Sequence, residues 1–176
     1  VHRAAADVQL WFNWEHQQLT AWQAAVTLNQ AQLVSTAQRP PLNLQTLALN
    51  LAWQRQMQGW SLNGQVLTLN VDQQTWPALQ FNLISQPPHP PLAATQSLVI
   101  SELPLEKVTQ LLLAHATLPT HYRSMLEQLR PAGVAAQIRL QHTGDWRQLN
   151  GWQAQANLKN LQINRWRHVP AISSLS

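Results

Sequence analysis

Apolar and polar residues alternate with a period of two along most of this 176-residue chain. Val8, Leu10, Phe12 and Trp14 alternate with Asp7, Gln9, Trp11 and Asn13, as in a strand with one apolar face. Glu15-His16-Gln17-Gln18 reads as a turn. Leu19 to Val34 follows as a long strand with Trp22, Ala24, Val26 and Leu28 on one face. The apolar phase then moves to Ala31 and Leu33, which predicts a bulge or a change of face near Asn29-Gln30. Arg39-Pro40-Pro41 interrupts the pattern. Leu42 to Arg55 alternates most cleanly, with Leu47, Leu49, Leu51 and Trp53 facing one way and Asn50 and Gln54 the other. After a turn at Gln56-Met57-Gln58-Gly59, the apolar positions are Trp60, Leu62, Gly64 and Val66, and the phase then shifts to Leu67, Leu69 and Val71. Asp72 to Thr75 reads as another turn. Leu79, Phe81 and Leu83 make a shorter strand, and Leu98 and Ile100 mark the next. Near the end, Val134, Ala136, Ile138 and Leu140 alternate. Trp152, Ala154, Ala156 and Leu158 do so after a turn from His142 to Trp146, and Leu161 and Ile163 follow in the opposite phase.

One stretch, Glu102 to Gly133, has a different period. Leu105, Val108, Leu112 and Ala116 recur at helical spacing behind Pro104, a residue suited to a helix start, and Glu106 sits where the helix dipole is positive. Leu118-Pro119 breaks the run, because the residue before a proline is pushed out of the α region. A second helix fits Thr120 to Leu129, and Arg130-Pro131-Ala132-Gly133 stops it. The expected fold is mainly β: a long antiparallel curved sheet, either a β-groove or an open barrel-like meander. A helical pair is inserted at about 104–130, with helices at Pro104–Ala116 and Thr120–Leu129. The sheet must bury its apolar face against something. A helix of about 12 residues is only about 18 Å long and shields only part of it.

Composition narrows the function. Charged residues are 10% of the chain, and glutamine and asparagine supply the polarity. The hydrophobic fraction of 45% and nine tryptophans argue for a folded core against disorder. The net charge is +4, but the arginines are scattered and only Arg165-Trp166-Arg167-His168 clusters, so no nucleic-acid partner is expected. Without cysteine there is neither disulfide nor thiolate chemistry. No apolar run is long enough to cross a bilayer. Three aspartates and four glutamates form no spaced pair, and the histidines form no ligand motif. His115 and His121, which flank the helix break, fit a surface or capping role. No catalytic residue, metal or cofactor is expected, and the chain does not read as an enzyme. Gln86-Pro87-Pro88-His89-Pro90-Pro91 reads as a rigid connector of polyproline II character.

Short motifs then carry a resemblance. Leu118-Pro119, followed by Leu126-Glu127-Gln128-Leu129-Arg130-Pro131-Ala132-Gly133, is similar to the "LP…L..L.P.G" signature behind the paired helices of YhdP-type AsmA-like proteins. Val169-Pro170-Ala171-Ile172-Ser173-Ser174-Leu175-Ser176 resembles that family's "P.i..LsG" signature. The strand Trp152 to Leu158 and the short Leu161-Gln162-Ile163 stand before it as the family's do. Trp60-Ser61-Leu62, Leu69-Asn70 and Trp76-Pro77 resemble its strand pair before the helices. The proline-rich loop and the glutamine content depart from the family. The resemblance implies that residues 1–176 are a single β-groove segment of a larger periplasmic protein. That protein would be anchored in the inner membrane by a segment outside this chain and would meet outer-membrane or periplasmic partners. It would move phospholipid between the inner and outer membranes along an apolar β-groove. Phospholipid acyl chains would lie on Leu47, Leu49, Leu51, Leu62, Val66 and Leu69. Two other readings stay open: a periplasmic glycan-binding β domain, and a structural or assembly module with a closed core.

Overall fold

The computed structural model describes residues 5–33, 40–88, 93–144 and 151–164. The expected arginine cluster at 165–168, the tail at 169–176 and the later part of the proline-rich loop lie outside these residues. Strands β1 (Ala5–Glu15), β2 (Gln18–Leu33), β3 (Leu42–Gln56) and β4 (Gly59–Val71) run as an antiparallel meander. A short β5 (Gln74–Trp76) folds back on β4. Then come β6 (Leu79–Gln86), β7 (Thr95–Pro104), α1 (Leu105–His115), α2 (Thr120–Leu129), β8 (Ala132–Thr143) and β9 (Trp152–Gln162). The sheet order is β1-β2-β3-β4-β6-β7-β8-β9, so each strand pairs with its neighbours in sequence once β5 is set aside. The sheet is open, with β1 and β9 at its edges.

Tight turns explain the sharp meander. His16-Gln17 and Asp72-Gln73 both take positive φ at two successive residues, the twist that two-residue hairpins require. Gly59, at φ 105, closes the β3–β4 hairpin, where a Cβ would meet the Ser85 carbonyl. Of the two expectations near Asn29-Gln30, the change of face is the one present: Gln30 has φ 56, and the β2–β3 pairing passes from Asn29–Thr46 to Ala31–Leu44 with its register unchanged. Gln45 in β3 lies between Leu44 and Thr46, where the β3–β4 register shifts. The two strands therefore change phase at the same level, and their apolar residues stay on one face.

Several expectations need correction. The shift in β4 falls at Leu67, which is itself the extra residue: Ala48 pairs with Thr68 and Leu49 with Val66. Leu67 is 46% exposed and does not join Leu69 and Val71. The alternation Val134–Ala136–Ile138–Leu140 is broken at Gln137 (φ 50), where the pairing to β9 slips, and both Ala135 and Ala136 are buried. Asp72–Thr75 is not all turn, because β5 begins at Gln74. Pro104 ends β7 and caps α1 in an extended conformation, instead of lying in the first helical turn. His142 belongs to β8 and not to a turn. It is 1% exposed and lies against the Trp152 ring at 4.7 Å between centroids. Neither of its ring nitrogens has a hydrogen-bond partner.

Candidate functional site: an apolar sheet face

Residues directly opposite each other in paired strands share a face. Following these pairs across the sheet gives four apolar rungs. The first runs Phe12, Trp22, Trp53, Leu62, Leu83, Leu98 and Leu140. The second runs Leu10, Ala24, Leu51, Gly64, Phe81, Ile100 and Ile138. Val8, Val26, Leu49, Val66 and Leu79 make the third, and Leu28, Leu47, Leu69 and Trp76 the fourth. All six residues expected to line a groove are therefore on one face, side by side on β3 and β4. Leu47 pairs with Leu69 and Leu49 with Val66, while Leu51 and Leu62 face Gly64 and Trp53.

The structure divides these six. Leu44, Val71 and Trp76 form a buried cluster at one end of the strands, and Leu47 and Leu69 pack against it. Leu103 from β7 and Val108 and Leu111 from α1 close over the same cluster. Leu47 and Leu69 thus belong to the packed end beneath the helix. Leu49, Leu51 and Leu62 are half-buried, and Val66 is 8% exposed. At the β1 edge the same face is open to solvent, with Val8 at 53%, Leu10 at 52% and Phe12 at 60% exposure. The alternation showed which residues share the face. It missed the cross-strand aromatic pair Trp22–Trp53 and the Phe81 ring lying across Gly64. A Cβ on Gly64 would sit 2.1 Å from two ring carbons of Phe81, so any other residue there must displace the ring. Leu62–Gly64–Val66 followed by Phe81 was the available signal, since a strand glycine often marks a large neighbour.

A polar clamp fixes the helix end. Asp72 Oδ2 lies 2.8 Å from His115 Nε2 at the last residue of α1. Asp72 Oδ1 accepts from the Asn43 backbone N–H at 2.9 Å, and the Asp72 N–H donates to the Asn43 carbonyl at 2.9 Å. Burial alone would raise the Asp72 pKa, but the Asn43 N–H, the His115 ring and the Asn43 side chain together hold it below the ordinary value. The clamp joins the start of β3, the β4–β5 turn and the end of α1. His121, the other histidine at the helix break, is exposed and lies against the Tyr122 ring at 3.7 Å. Among the described residues no helix is long and apolar enough to cross a membrane, and no group of three His, Asp or Glu could hold a metal.

No curated protein and no solved structure matches the chain. The model of one family, described as YhdP protein, matches residues 1–176. With its long open sheet and inserted helical pair, the chain belongs to the YhdP family, a family of Gram-negative envelope proteins.

Proposed function

We propose that this chain is one stretch of an envelope conduit along which phospholipid moves between the inner and outer membranes. Its acyl chains would lie on the apolar sheet face. The observation that carries the reading is the extent of that face relative to its cover. From β1 to β9 there are seven inter-strand steps, a width of about 34 Å. The 11 residues of α1 reach about 16 Å and close over the Leu44–Val71–Trp76 end. Half-buried leucines and exposed residues of β1 remain, more apolar surface than a soluble monomer normally leaves open. Each acyl methylene placed there contributes about 0.8 kcal/mol. The opposite face carries Gln, Asn and Thr and keeps the sheet in water.

In this reading the whole protein is periplasmic and held in the inner membrane by a segment outside this chain. It meets outer-membrane or periplasmic partners and needs no cofactor or catalytic group, since passive movement along an apolar surface makes and breaks no covalent bond. Leu49, Leu51 and Leu62 hold the lipid with the buried Val66 between their strands, while Leu47 and Leu69 seat the helix that closes one end. A photo-crosslinking residue at 49, 51 or 66 in cells is expected to give phospholipid adducts, and absence of adducts from all three positions overturns the proposal. Leu49→Asp is expected to stop transport with the far-UV spectrum intact, because a carboxylate is costly in an acyl-chain channel. Global unfolding by this change would instead place Leu49 in a closed core.

A further inference from the structure

The other face of the sheet is not flat. Cavities of about 230, 730 and 370 Å³ adjoin on it. The first two share Trp11 and Gln23, and the last two share Val99 and Ser101. Together they make one furrow from β1 to β9, crossing the strands over about 34 Å. The cross-strand pairs place its lining residues opposite the leucines. Asn50 pairs with Ala25 and Gln65, and Asn63 with Ala52 and Asn82. The small side chains of Ala25 and Ala52 give the furrow depth.

Its chemistry is selective. The described residues around the central cavity include the carboxamides Gln23, Asn50, Asn63, Gln65, Gln80 and Asn82, with Leu51 and Phe81 of the leucine face also bordering it, and none of these described residues is ionisable. This holds in a chain of net charge +4. Among the described residues of the furrow the one charged side chain is Arg139, toward β9. An anionic polymer would call for cations along the floor, and a cationic one for carboxylates. A carboxamide both donates and accepts. That matches a ligand whose own groups do both, namely hydroxyls and acetamides. Neighbouring carboxamides already pair in this way: Asn82 Nδ2 donates to Asn63 Oδ1 at 2.7 Å, and Asn157 Nδ2 to Gln137 Oε1 at 2.6 Å. Each such bond uses one of the several sites a carboxamide offers. Trp11, 52% exposed, stands at the β1 side, where its ring can take the apolar face of a pyranose.

From this we infer that the furrow binds an uncharged, linear oligosaccharide of hexose or N-acetylhexosamine units, laid across the strands on the face opposite the leucines. The carboxamides belong to the face opposite the lipid, and Leu51, which borders the cavity, is the residue the two sites share. Isothermal titration and ¹⁵N correlation spectra with chitotetraose and maltotetraose test it. At least one sugar is expected to bind saturably, shifting the side-chain amide signals of Asn50, Asn63, Gln65, Gln80 and Asn82. Trp11→Ala and the double variant Gln65→Ala/Gln80→Ala should each weaken binding tenfold or more, with backbone spectra that report an intact fold. Met57→Ala, at a fully exposed hairpin loop, should bind as the wild type does. Neither sugar binding at 10 mM overturns the proposal, as does binding that survives both furrow variants. Tighter, salt-sensitive binding of a sulfated oligosaccharide also overturns it, because that places the contact at Arg139. No sugar binding by the wild-type chain, with phospholipid adducts formed at 49, 51 and 66, overturns this inference alone; the reverse pattern overturns the lipid reading alone.

Discussion

Removing the Asp72 carboxylate should loosen α1 from the sheet. The Asp72 side chain is 33% exposed and that of His115 18%, so both contacts are partly screened. A hydrogen bond to a charged group contributes about 1.5–3 kcal/mol when well buried. Two of them at this site, discounted for water, come to about 2 kcal/mol. Asp72→Ala also places alanine at φ 48, a left-handed position that disfavours a residue with no side-chain hydrogen bond. With that strain the expected cost is about 3 kcal/mol, a fall in Tm of roughly 6–12 °C for a chain of this size. Asp72→Asn keeps an oxygen for the Asn43 N–H and suits the turn, so it should lose about 1 kcal/mol. The pH dependence fixes the sign. The Asp72 pKa is depressed in the folded state. Its contribution is therefore complete above the unfolded value of about 3.9 and is lost as pH falls through the folded value. The gap between wild type and Asp72→Asn should then close on acidification from about pH 6 to below the folded value. Urea unfolding at several pH values measures the gap, and hydrogen exchange over 105–115 shows whether the helix is what loosens. A gap that is constant with pH, or an Asp72→Ala variant within about 0.5 kcal/mol of wild type, would refute the clamp.

Two further outcomes follow from the sheet. Gly64→Ala should destabilise by about 1–3 kcal/mol, because its Cβ meets the Phe81 ring, and Phe81→Leu in the same chain should recover part of the loss in a thermal melt. Leu10→Lys on the exposed edge strand β1 should raise the monomer fraction of the purified chain by sedimentation, since a charge on an edge strand opposes strand-to-strand association; an unchanged distribution argues against β1 as a sticky edge.

The legible part of this fold was its period. Leu47, Leu49 and Leu51 stand on an uninterrupted two-residue alternation, and the turn at Met57-Gln58 brings Leu62 and Val66 beside them. The helical pair was legible because its spacing changes to three and four and Pro119 divides it. What stayed hidden depended on pairing. Leu67 reads as the first residue of a new apolar phase, and only the β3 register shows it to be the extra residue of a bulge. Leu47 and Leu69 look like Leu49 and Leu51 in sequence. They differ because α1, inserted some 35 residues later, returns to their end of the sheet. Asp72 looks like an ordinary turn residue until Asn43 and His115 converge on it. The furrow was equally invisible, since alternation shows that Asn and Gln share a face but gives no sign that the face is hollow.

The neighbour-to-neighbour strand order has a mechanical consequence. Removing a strand at either edge breaks one ladder and leaves the others whole, so stability should add up along the stack as it does in a linear array of repeats. Such an array melts from its ends. β1 and β9, exposed along nearly their whole length, should open at a small fraction of the free energy needed to separate β3 from β4. A molecule built this way can also grow by hairpins, each completed soon after its second strand is available, without waiting for a distant partner. Length then becomes an easily altered property of the protein, set by how many hairpins are strung together.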